Sequence, residues 1–180
     1  MPETGYSRKG LAEDGDGEDS EGKIERGISC GGAMSGRCFE DFQVGERFTT
    51  EEREITEQDI VQFAGLTGDR TALHFDEDAA KAAGFGGRIA HGLLGLSIAS
   101  GLWVQLGLLE KTIIAFLGLE WKFIAPVRIG DPLHVAVSVI EKKETRRPDR
   151  GIIRFGATFL NQKEEAVQEG TWTLLIRRKG

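Results

Sequence analysis

Residues 92–109, GLLGLSIASGLWVQLGLL, run for eighteen positions without a charged side chain. A stretch of that length meets the crude requirement for a helix that spans a bilayer. Four of its residues are glycine, Gln105 lies inside it, and cationic anchors at its flanks are sparse, so the membrane reading is rejected. A helix that is apolar on every side fits the buried centre of a globular domain instead. The following sequence supplies something to bury it. Leu133, Val135, Val137 and Val139 alternate with His134, Ala136 and Ser138, the period of two that marks a strand with one buried face. Residues 112–125, 152–160 and 170–176 read as further strands, with turns expected at 130–132, 141–151 and 161–165. The expected fold class is therefore α+β: a curved antiparallel sheet wrapped round a long buried central helix.

The chain ahead of that helix is less regular. Residues 46–54 are a strand candidate. Thr56, with Asp59 three residues on, reads as the N-cap of a short helix through Ile60, Phe63 and Ala64, which Gly65 and Gly68 end. Residues 68–76 read as an ordered loop, and Asp76 is placed to cap a second short helix through Ala79, Ala80 and Lys81. Before Cys38 the sequence is rich in glycine and acids and poor in apolar residues. Such a segment cannot bury enough surface to offset its ordering entropy. Residues 1–37 are thus expected to be a disordered tail and 38–180 a single domain, with Met34 as an alternative start of translation.

Charge and cysteine content narrow the class further. Lys and Arg total 23 against 29 Asp and Glu, giving a net charge of -6 and a pI near 5.2. A general nucleic-acid binder needs cations to displace phosphate counterions, so no nucleic-acid partner is expected. Cys30 and Cys38 cannot build a disulfide scaffold, and their spacing matches no zinc site. Acids in residues 1–20 stand where a signal peptide needs a basic and then an apolar stretch. The expectation is a cytoplasmic protein with no membrane partner.

Polar residues suited to chemistry concentrate between Gly68 and Ser100, in GDRTALHFD and then GRIAHGLLGLSIAS. Asp69 and His74 are five apart, the wrong interval for one helical face, so they converge only if the loop bends. A carboxylate and an imidazole, with ordinary pKa values of about 3.9 and 6.5, can share one water as an acid–base pair. Spacing alone favours a plainer view: Asp69 as a turn former and His74 as a hydrogen-bonded loop histidine. His91-Gly92 opens the apolar helix, where the first N–H groups lack internal partners and the macrodipole is positive. Gly92 could admit an oxygen that gains negative charge, or could simply permit close helix–sheet packing. Ser100 lies eight residues on, near the same face, where its hydroxyl could meet a loop carboxylate such as Asp69.

The stretch GDRTALHFD followed by RIAHGLLGLSIAS resembles the signature of the MaoC-like (R)-specific enoyl-CoA hydratases. That pattern runs Asp-x-Asn-Pro-Leu-His-x-Asp, then His-Gly at the start of the central helix. The segment WKFIAPVRIGDPL is similar to the family's strand after the helix, and the likeness spans about residues 39–178. The resemblance implies a single hotdog domain that hydrates a trans-2-enoyl-CoA to the (R)-3-hydroxyacyl-CoA, or dehydrates in reverse. It implies that Asp69 and His74 hold and activate water, that the Gly92 N–H polarises the thioester carbonyl, and that Ser100 orients Asp69. Thr71, His91 and Arg88 follow as substrate contacts. No metal and no cofactor is implied, since coenzyme A is part of the substrate; a homodimer or larger assembly is. One departure is plain: Thr71-Ala72 stands where the family has Asn-Pro. Two other readings stay open, a hotdog acyl-CoA thioesterase and a non-catalytic subunit that binds acyl thioesters.

Overall fold

The computed structural model describes residues 36–179. Its elements are β1 (Arg47–Thr49), β2 (Arg53–Glu54), α1 (Glu57–Thr67), α2 (Ala72–Phe75), α3 (Glu77–Ala82), α4 (Gly92–Gln105), β3 (Ile113–Phe123), β4 (Pro132–Glu144), β5 (Arg150–Leu160) and β6 (Ala166–Arg177). The strands form one antiparallel sheet in the order β1-β4-β5-β6-β3, and β2 pairs with the start of β4. Alternation sets the sheet's sidedness. Leu133, Val135, Val137 and Val139 of β4 face inward with Ile153, Phe155 and Phe159 of β5 and Trp172, Leu174 and Ile176 of β6. Burying each aliphatic side chain of this kind contributes about 1.5–3 kcal/mol. Trp103 of α4 packs into that layer against Phe155 and Phe48, at ring separations of 5.2 and 5.6 Å. The α+β architecture is as the sequence implies, and no helix among the described residues is long and apolar enough to cross a membrane.

Several boundaries differ from expectation. The domain begins before Cys38. The N–H groups of Gly36 and Arg37 donate to the carbonyls of Glu110 and Leu108 at 2.7 and 2.8 Å, so these two residues belong to the packed unit. A side chain at Gly36 would meet the Glu110 backbone at 2.5 Å, which restricts the position to glycine. The rest of the tail expected over 1–37, residues 1–35 with the Met34 start, lies outside the described residues. The charged run 141–144 continues β4 rather than turning. Glu141 pairs with Arg154 of β5 at 3.0 Å, and Lys142 sits over the Phe39 ring at 4.5 Å. Strand pairing and these cross-element contacts absorb the charges. His134 alternates with the core-facing Leu133 and Val135 yet is buried as well, 3.6 Å from Glu164 in the β5–β6 turn.

The central helix is shorter and less enclosed than its composition suggests. It ends at Gln105 and buries one stripe, Leu94, Gly95, Ala99, Leu102 and Trp103. Leu93 and Val104 remain 59% and 52% exposed. The sheet curls over one side of α4 and leaves the other side uncovered.

Candidate active site

The capping box at α1 is present as read. Thr56 Oγ1 accepts the Asp59 N–H, and the Asp59 carboxylate accepts the Thr56 N–H. Gly65 does not end the helix. Gly68 does, at φ 79°, a left-handed conformation that costs glycine nothing. The chain then turns back across the head of α4. Thr67 Oγ1 accepts the Asp69 N–H at 3.2 Å, and Asp69 Oδ1 accepts both the N–H and the hydroxyl of Thr71, at 3.1 and 2.7 Å. This Asx turn starts α2, a single helical turn within the segment expected to be loop.

α2 delivers His74 into the protein, 8% exposed. Its Nδ1 lies 2.8 Å from the Ile89 carbonyl oxygen. A carbonyl can only accept, so Nδ1 carries the proton and Nε2 of the neutral ring keeps its lone pair. The His74 backbone carbonyl in turn accepts from Arg88 Nε at 2.8 Å. Asp69 and His74 therefore converge: one ligand-capable atom of each, and one of His91, all lie within 4.8 Å of one another. A single water bridging two groups with hydrogen bonds of about 2.8 Å spans roughly 4.5 Å, so this separation suits one shared water. The Asp69 carboxyl is held below the usual range, first by the Thr71 hydroxyl and then by the Thr71 N–H.

Gly92 is the first residue of α4, and its N–H has no acceptor within the helix. A Cβ there would come 2.9 Å from the Phe123 ring, so close packing does require glycine. His74 and Gly92 line one cavity of about 300 Å³, walled mainly by Phe85, Ile89, Phe123 and Pro126. That volume is at the small end of ligand pockets, about 300–1,000 Å³. The cavity's remaining polar wall is Gln168, which nothing in its local sequence singles out beyond a polar residue at a core-facing position of β6. It is 2% exposed. Its Oε1 accepts from Trp121 Nε1 at 2.9 Å, and its Nε2 donates to the Gly92 carbonyl at 3.1 Å. The amide thus ties β3, β6 and the head of α4 together.

Three expected roles are placed differently. Ser100 is half-buried and forms no hydrogen bond to Asp69. The loop is anchored at the head of α4, and Ser100 lies about 12 Å further along the axis at 1.5 Å per residue. Thr71, expected to touch substrate, holds the Asp69 carboxylate instead. Arg88 is committed to the fold through His74 and an ion pair with Glu57 at 2.7 Å.

Asp69, His74 and His91 invite comparison with a metal site. A metal ion lies in the plane of each imidazole that binds it. The His74 and His91 rings are stacked at 3.7 Å with planes 29° apart, and each has one nitrogen on a carbonyl. That stacking, with one nitrogen of each ring already on a carbonyl, suits acid–base chemistry better than metal binding.

A family model described as the MaoC-like domain matches residues 41–158. The uncharacterized protein YdeM of Bacillus subtilis is 36% identical over 143 residues, covering 78% of this chain and 99% of YdeM. The (R)-specific enoyl-CoA hydratase of Rhodospirillum rubrum is 33% identical over 143 residues, 79% of this chain and 93% of the hydratase. Among solved structures, the MaoC-like dehydratase from Rhodospirillum rubrum superposes with a TM-score of 0.74 at 36% identity, covering 81% of this chain and 99% of that one. A double-hotdog protein of Mycobacterium tuberculosis, 20% identical, shares the fold at a TM-score of 0.71 over 80% of this chain and 45% of its own. The wrapped helix, the bent acid–histidine loop and these likenesses agree: the chain is a hotdog domain and belongs to the MaoC-like family.

Proposed function

We propose that the protein adds water to a trans-2-enoyl-CoA to give the (R)-3-hydroxyacyl-CoA, or runs the reverse dehydration, as a homodimer in the cytosol. The observation that carries this is the approach of Asp69 to His74 within 4.8 Å, with His74 and Gly92 on one cavity wall. Conjugation to the thioester makes the β-carbon electrophilic. The Asp69–His74 pair holds a water, whose oxygen bonds to that carbon. One water proton stays on the new hydroxyl; the other passes through the pair to the α-carbon on the same face. Negative charge on the thioester oxygen is met by the Gly92 N–H at the positive end of α4. The reaction so written uses no metal and no redox cofactor, and coenzyme A enters as part of the substrate. The apolar walls and modest size of the cavity favour short acyl groups.

The homodimer is supported by the uncovered side of α4 and by β3. This strand ends the sheet order, and it exposes Phe116, Leu117 and Leu119 by 50%, 50% and 45%.

The test is spectroscopic. Purified protein should bleach the ultraviolet absorbance of a short enoyl-CoA without releasing thiol, and Asp69→Asn should abolish the change. Thiol release from a saturated acyl-CoA would make the protein a thioesterase instead. Binding without turnover, unaffected by Asp69→Asn, would make it a non-catalytic subunit.

A further inference from the structure

His91 is 3% exposed and touches each part of the site. As N-cap of α4 it immediately precedes Gly92, yet its side chain caps nothing. Its ring stacks on His74 at a centroid separation of 3.7 Å and meets Phe63 at 5.0 Å. Its Nε2 lies 3.0 Å from the Asp69 backbone oxygen, while its Nδ1 is buried with no hydrogen-bond partner.

These contacts fix the proton. The Asp69 carbonyl can only accept, so Nε2 must carry the hydrogen. A proton on Nδ1 would find no acceptor within the protein. The hydrogen that His91 donates is therefore on Nε2, and the one that His74 donates is on Nδ1. The stacked imidazoles hold opposite tautomers.

We infer that His91 is a positioning residue that joins the two halves of the acid–base pair. It fixes the loop carrying Asp69 by a hydrogen bond, supports the His74 ring by stacking, and does both from the residue adjoining the Gly92 N–H. Water, base and oxyanion donor are then held in one register set by the head of α4. This role rests on the hydration reading, because only a reaction needing Asp69, His74 and Gly92 together calls for such a link. Misplacing a reacting group by about 1 Å can cost roughly 100-fold in rate.

The chain contains only three histidines, so 15N-histidine labelling gives a spectrum assignable by single substitutions. The expected result at neutral pH is a Nδ1–H ring for His74 and a Nε2–H ring for His91. The same tautomer at both, or a charged His91, overturns the inference without reference to activity. In turnover, His91→Phe keeps an aromatic ring against His74 and removes the donor to Asp69. It should lower kcat about 10–100-fold with KM within about twofold, and His91→Gln, which restores a donor, should recover part of the loss. If Asp69→Asn is inactive while His91→Phe turns over like wild type, the positioning role fails and hydration stands. If Asp69→Asn changes nothing, hydration itself fails.

Discussion

The Thr71 hydroxyl donates to Asp69 Oδ1 over 2.7 Å, and the Thr71 N–H reaches the same oxygen at 3.1 Å. Where the family pattern has asparagine, this chain thus has a residue that still grips the carboxylate. Both bonds favour the ionised form and hold the Asp69 carboxyl below its ordinary range. Thr71→Val keeps the backbone donor and removes the hydroxyl, so the Asp69 carboxyl should move up. The acid limb of a pH–rate profile for hydration should shift to higher pH in this variant. An unmoved limb would mean that Thr71 does not set the ionisation used in turnover.

Gly95 and Gln168 make a second coupled pair. A Cβ on Gly95 would lie 2.3 Å from Gln168 Nε2, so the buried amide occupies space that only a glycine leaves. Gly95→Ala must displace the amide from Gly92 and Trp121 and strand buried polar groups, a loss of about 1–3 kcal/mol. Better helix propensity returns up to about 1 kcal/mol of that. Denaturant unfolding should show a net loss for Gly95→Ala. Added to a Gln168→Ala background, the same change should cost nothing or stabilise. Equal effects in both backgrounds would show that the two residues are not coupled.

What could be read from the chain follows the range of the interaction. The alternation of Leu133 to Val139 and the Thr56–Asp59 box are local signals, and both elements stand where read. The strand end at Glu144 is not legible locally, because a charged run reads as a turn until Arg154 and Phe39 are known to lie beside it. The bend bringing Asp69 to His74 came through the resemblance, since spacing alone preferred a plain turn. For Ser100, helical periodicity places the residue on a face but does not say which loop crosses it. His91 and Gln168 act through partners 22 and 76 residues away, at Asp69 and Gly92, beyond any local pattern.

The α1 capping box gives the fold an acid-sensitive contact. Burial acts to raise the Asp59 carboxyl, but hydrogen bonds from Arg53 and from Thr56 outweigh it, and the net shift is downward. A carboxyl lowered on folding contributes stability above its unfolded pKa and loses it as pH falls through the folded value. Asp59→Ala should therefore cost about 1 kcal/mol at neutral pH. The gap to wild type should narrow as the pH falls through the range where Asp59 protonates. Denaturant midpoints measured across that range check this; a gap independent of pH would assign the loss to packing.

The sheet's two edges are unequal. β1, at one end, is three residues long, whereas β3, at the other, has eleven residues and an unpaired outer edge. A long apolar edge is a template for another strand, and soluble proteins usually shorten, charge or cover one. Here Ile113, Ile114, Phe116, Leu117 and Leu119 are all at least 37% exposed, as are Leu93 and Val104 of α4. A second copy placed across this edge would cover the strand, and a two-fold pairing through β3 leaves only the short β1 edges open. Wild type should sediment as a dimer. Leu117→Lys would put a charge in the middle of each edge, and twice in a symmetric interface, so it should shift the protein toward monomer. A monomeric wild type at micromolar concentration would remove the dimer from the proposal. Its exposed β3 would then need another cover.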